Sequence, residues 1–131
     1  MMRQYLADHG HLEGASLINC MAGKDRTGFA VAMLHASLGV HRDDIVEDYL
    51  LTNTAGDPAA RIAAGGEAIR DTVGDLDPDV LAVLMGVEAE YLDIALAEVS
   101  ARHGSLDGYL EAVLGVDAVA RERLRARLVE A

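Results

Sequence analysis

The chain has a single cysteine, Cys20, which stands six positions before Arg26 in the string S-L-I-N-C-M-A-G-K-D-R-T-G of residues 16–28. Leu17 and Ile18 form a short apolar lead into Cys20, and residues 29–38 carry a helical pattern, so strand, loop, helix is the natural reading. A loop that leaves a strand and enters a helix turns successive backbone N–H groups inward. The free N–H groups and positive dipole end of the new helix add to them, and the concavity attracts an anion such as phosphate. The same field stabilises a thiolate. An ordinary thiol titrates near ~8.5, whereas one at a helix N-terminus beside a guanidinium falls to roughly 3.5 to 7.5. Cys20 is therefore expected to be a nucleophile at neutral pH.

The elements that must hold this loop are read mostly as helices. Residues 17–19 are the one convincing strand. Residues 27–38 form a helix that buries Phe29, Val31, Met33, Leu34 and Leu38 and ends at Gly39, with His35 a core or boundary histidine. The next helix spans 41–52, with Asp43 and Asp44 at its positive end and Ile45, Val46, Tyr49 and Leu50 inward, Tyr49 as a core residue. Pro58, capped by Asp57, opens a helix to about 73 whose apolar side is mostly alanine. Gly65 and Gly66 weaken its middle. It reads as a loosely packed surface helix, with a mobile lid bringing Arg61 and Arg70 to a substrate as the other possibility. Helices follow over 78–85, 88–103 and 106–114, and from Asp117 to about 129. In the second of these Tyr91, Leu92, Ile94, Ala95, Leu96 and Val99 face inward, and in the last Arg121, Arg123, Arg125 and Arg127 read as the exposed face of a docked helix, with a phosphate site the less favoured reading. Upstream, residues 2–8 read as a short helix, and His9 and His11 as loop residues without a third metal ligand nearby.

The loop also carries a resemblance. C-x5-R-[ST] is the signature of cysteine-dependent phosphatases, and C-M-A-G-K-D-R-T-G resembles the bacterial branch of tyrosine phosphatases, which read His-Cys-x-x-Gly-Lys-Asp-Arg-Thr-Gly. The runs Asp48-Tyr49-Leu50-x-x-Asn53 and Gly104-Ser105-x-x-x-Tyr109-Leu110 extend the similarity downstream. The resemblance implies that Cys20 attacks phosphorus to give a cysteinyl-phosphate, that Arg26 clamps two oxygens, and that Thr27 hydrogen-bonds the leaving thiolate. It makes Asp25 the candidate general acid and Met21, Ala22, Gly23, Lys24 and Gly28 the substrate-binding part of the loop, with Lys24 associated with phosphoinositide as well as phosphotyrosine substrates. It implies no cofactor and no metal. One position departs: Asn19 stands where the family has histidine, and an amide supplies a hydrogen bond but no positive charge.

The fold this implies is α/β: the C-terminal, mostly helical part of a tyrosine-phosphatase-like domain, with one phosphate-loop strand and about seven helices. Residues 1–131 are then a single, incomplete domain whose upstream strands and acid loop have no counterpart, and a second chain completing the sheet is a possible partner. A lone cysteine permits no internal disulfide and suits a reducing cytoplasm. The net charge of −11 argues against nucleic acid and against general attraction to anionic membranes, and no apolar run reaches the ~18 residues of a membrane span. The expected function is hydrolysis of phosphomonoesters on phosphotyrosine, phosphoserine/threonine or phosphoinositide. The alternatives are a catalytically weak phosphate-binding module or inactive fragment, and a rhodanese-like sulfurtransferase, which Arg26 and Thr27 after Gly-Lys-Asp disfavour. A Walker loop fails on spacing, because Ile18 and Asp25 occupy the positions of its first glycine and its Ser/Thr.

Overall fold

The computed structural model describes residues 16–129, so the expected helix over 2–8 and His9 and His11 lie outside the described residues. Within them the chain forms seven α-helices: α1 Asp25–Leu38, α2 Arg42–Leu50, α3 Pro58–Val73, α4 Pro78–Met85, α5 Ala89–His103, α6 Leu106–Ala112 and α7 Ala118–Leu128, with a 3₁₀ turn Leu51–Asn53 after α2. Local chemistry sets most starts. Asp57 and Asp117 accept from the amides of Ala60 and Ala120, Ser105 from that of Gly108, and Asp77 from that of Asp79. Proline at the first turn pre-sets α3 and α4.

The strand expected over 17–19 is absent from the described residues, where this segment runs without a ladder partner and Leu17 is almost fully exposed. Strand character belongs to a pair, since the N–H and C=O groups of one segment need those of another. No segment among the described residues supplies them.

Helix α1 is the centre. Its Ala32 and Met33 share one buried core with Ile45 and Tyr49 of α2, Leu92 and Leu96 of α5, Leu110 of α6 and Leu124 of α7, and Val87, Leu114 and Val116 join it from the links between elements. Helix α7 docks by Leu124, and its arginines tie it down. Arg125 Nε donates to the carbonyl of Leu38 at 2.8 Å, capping the end of α1, and Arg121 pairs with Asp107 of α6 at 2.6 Å. One expected inward residue of α5 faces out instead: Ile94 is 61% exposed, because a helix that buries Leu92 turns the residue two positions along by about 200°. Tyr91, about 100° from Leu92, is half-exposed.

Helices α3 and α4 form a hairpin beside this bundle. No residue of α3 is fully buried, but its two glycines have a purpose that helix propensity conceals. A Cβ on Gly65 would collide with the end of Met85, and one on Gly66 would lie 2.6 Å from Leu81 Cδ2. The pair lets α4 seat directly on the α3 backbone. Arg70 is held by Asp75 at 2.8 Å, and α4 leaves Val80, Val83 and Leu84 exposed on its far side.

Candidate active site

Residues 16–24 lead into α1 without regular structure and fold back on its first turn. The backbone N–H of Cys20 donates to Thr27 Oγ1 at 3.0 Å, closing the loop across seven residues. With that lone pair engaged, the Thr27 hydroxyl proton is free for the thiol sulfur. The effect is large: the Thr27 hydroxyl, opposed by partial burial and aided by the backbone amides of Thr27, Gly23 and Ala22, pulls the Cys20 thiol down to about 6. At neutral pH the group is mostly thiolate.

The loop's curvature depends on Gly23, which has φ +68°, a left-handed conformation that only glycine adopts cheaply. A Cβ there would lie 3.3 Å from Asn19 Oδ1, so the residue that replaces the family histidine sits beneath the bend. Helix α1 begins at Asp25 with no side chain capping it, which leaves its first-turn amides open to an anion. Gly28, one turn in, lies against a buried ring, since a Cβ there would be 2.5 Å from Tyr49 Cδ2 and Cε2.

Beyond the loop's end lies a cavity of about 360 Å³ lined by Asp25, Arg26, Phe29, Tyr49, Tyr91, Leu92 and Ala95. Arg26 is exposed at its edge and makes no ion pair with any described residue. Tyr49, expected in the core alone, is both core and cavity wall. Burial, the charge of Asp25 and Tyr91 push its phenol up from the ordinary value. Lys24 is largely buried: its ammonium donates to Asp25 Oδ1 at 2.9 Å and to the carbonyl of Gly86 at 3.1 Å, and its side chain is only 13% exposed.

Sequence reading placed Cys20, Met21, Ala22, Gly23, Lys24, Asp25, Arg26, Thr27 and Gly28 in one stretch. The structure gathers them around the start of α1, with Cys20 and Thr27 in contact, Met21 exposed, and Asp25 and Arg26 turned to the cavity. It adds Phe29, Tyr49 and Tyr91 as walls, and Asn53, whose side chain grips the backbone of Val87. The Asp-Tyr-Leu-x-x-Asn run signalled Asn53 by its position, but nothing local signalled its partner. Among the described residues no group of three or more His, Cys, Asp or Glu side chains is placed to hold a metal ion, and no helix is long and apolar enough to cross a membrane.

Comparison with known proteins finds relatives in sequence. A protein of Cupriavidus necator that carries a tyrosine-protein phosphatase name is 42% identical over 106 residues, covering 77% of this chain and 36% of the relative. The triple specificity protein phosphatase PtpB of Mycobacterium tuberculosis is 38% identical over 122 residues, covering 86% of this chain and 43% of the relative. The chain thus spans less than half the length of either relative. Residues 1–130 match the tyrosine phosphatase family, and the chain, with Cys20 in the loop that leads into α1, belongs to that family.

Proposed function

We propose that this chain carries the phosphate loop of a cysteine-dependent phosphatase that hydrolyses phosphomonoesters in two steps. In the first, the Cys20 thiolate attacks phosphorus, the bond from phosphorus to the ester oxygen breaks, and the departing oxygen takes a proton from the Asp25 carboxyl. Arg26 and the first-turn amides of α1 hold the equatorial oxygens as charge builds on them. In the second, water attacks the cysteinyl-phosphate, Asp25 recovers a proton from it, and phosphate leaves as the sulfur departs toward the Thr27 hydroxyl. The observation that carries the reading is the closure of the loop on Thr27, whose Oγ1 accepts from the Cys20 N–H at 3.0 Å at the uncapped head of α1, an arrangement that holds the thiol well below its ordinary range.

The cavity beside Arg26 has aromatic and aliphatic walls from Phe29, Tyr49, Tyr91, Leu92 and Ala95, which suits the ring of an aryl phosphate. Phosphoserine/threonine and phosphoinositide substrates fit the same loop chemistry. One observation favours a second reading, anion binding with little turnover: the cavity ends at Arg26 and does not include Cys20. Release of phosphate from para-nitrophenyl phosphate by the purified chain separates the two. Turnover that Cys20→Ser abolishes and Asp25→Asn slows, by about 10²-fold or more for a general acid, is the expected result. A folded wild-type chain that binds orthovanadate without turnover overturns the enzymatic reading and leaves the binding module.

A further inference from the structure

One peptide unit, between Gly86 and Val87, is gripped at both ends. Its carbonyl, from Gly86, accepts from Lys24 Nζ at 3.1 Å, and its N–H, from Val87, donates to Asn53 Oδ1 at 2.9 Å. Asn53 closes a second bond, its Nδ2 donating to the carbonyl of Val87 at 2.8 Å. Lys24 Nζ in turn donates to Asp25 Oδ1 at 2.9 Å. An unbroken polar path therefore runs from the 3₁₀ turn after α2, through the link between α4 and α5, to the first residue of α1.

The path is built of stiff parts. A peptide unit is planar, so its carbonyl and N–H point in opposite directions from one rigid plate, and fixing one end aims the other. Hydrogen bonds in series also polarise one another. Asn53 needs both of its functions here, an acceptor for the Val87 N–H and a donor for the Val87 carbonyl, which an aspartate could not supply. Gly86 makes room, because a Cβ there would press to 3.3 Å from Asn53 Oδ1 and 3.2 Å from the Ala82 carbonyl. Val87 is 2% exposed, so water has little access to compete for these groups.

We propose that Asn53 is a positioning residue for the phosphate loop, acting through the Gly86–Val87 peptide on Lys24 and so on the corner formed by Lys24 and Asp25. The proposal rests on the loop being an anion site. Asn53 touches neither the anion nor the thiol; it fixes the plate against which Lys24 is braced.

The test is a double-mutant cycle on orthovanadate affinity, measured by titration calorimetry on the 131-residue chain: wild type, Asn53→Ala, Lys24→Met and the double variant. The expected result is a loss of about 5-fold for Asn53→Ala in the wild-type background and less than about 2-fold in the Lys24→Met background. Gly86→Ala, which pushes on Asn53 from the peptide side, gives the same Lys24-dependent loss and carries the test where Asn53→Ala fails to fold. An equal loss in both backgrounds means that Asn53 acts only on general stability, and overturns the proposal while the anion site stands. A folded wild-type chain that binds no vanadate overturns the anion-site reading itself, and the proposal with it.

Discussion

Replacing Gly28 with alanine places a methyl group 2.5 Å from Tyr49 Cδ2 and Cε2. Normal carbon contacts begin near ~3.5 Å, so the overlap is about 1 Å against two ring atoms at once. Tyr49 is 6% exposed and packed among the core of α1, α2 and α5, so the ring can yield only toward the cavity it walls. Overpacking of this kind costs about 1 to 3 kcal/mol, and a ring with a single direction of escape argues for the upper half of that range. Alanine also helps a helix interior by about 1 kcal/mol relative to glycine. The balance is a net loss of about 1 to 2 kcal/mol in the wild-type background. Tyr49→Val removes both opposing ring atoms and leaves the propensity gain, so in that background Gly28→Ala stabilises by about 1 kcal/mol. The chain has no tryptophan, so urea unfolding followed by far-ultraviolet circular dichroism is the suitable assay. The sign change is the decisive result. Destabilisation by Gly28→Ala of the same size in both backgrounds would refute the claim that Gly28 exists to admit the ring.

Other predictions concern the thiol and the docking of α7. The rate of Cys20 alkylation by iodoacetamide should rise with pH through a midpoint near 6, because the reactive thiolate replaces the thiol as pH rises through the depressed value. Thr27→Ala, which removes the largest stabiliser of the thiolate, should move that midpoint upward toward the ordinary ~8.5, while Thr27→Ser leaves it nearly in place. An unmoved midpoint in Thr27→Ala would assign the depression to another group. Leu124→Ala empties a position that is 2% exposed between α7 and α1 and should cost about 2 to 5 kcal/mol in urea unfolding; a change below about 0.5 kcal/mol would show that α7 is only loosely seated.

What was legible in the chain follows the range of the interactions concerned. Helix starts at Pro58, Pro78, Leu106 and Ala118 lie within one residue of expectation, because a capping Asp or Ser and the amide it binds are two or three positions apart. The stretch 17–19 looked like a strand from its two apolar residues, but strand formation depends on a partner that residue types nearby do not reveal. Helix propensity alone makes Gly65 and Gly66 a weakness, whereas their use is the approach of Met85 and Leu81 from another helix. The apolar side chain of Ile94 predicts an inward position, and the bundle's geometry turns it out. In the candidate site, the loop was visible because its chemistry is contiguous. The brace behind it was not, since Asn53 and Val87 are 34 residues apart and Lys24 and Gly86 are 62.

The bond from Arg125 to the Leu38 carbonyl spans 87 residues, and that separation has a meaning in time. At roughly 5 to 20 residues per second, a ribosome that has finished α1 takes on the order of ten seconds to deliver the residue that closes the helix's far end. For that interval the nascent chain holds a helix whose last carbonyl is uncapped and whose Leu124 partner has not yet been made. A nascent-chain arrest series should therefore show resistance of α1 to protease arriving late, only once α7 has cleared the exit tunnel.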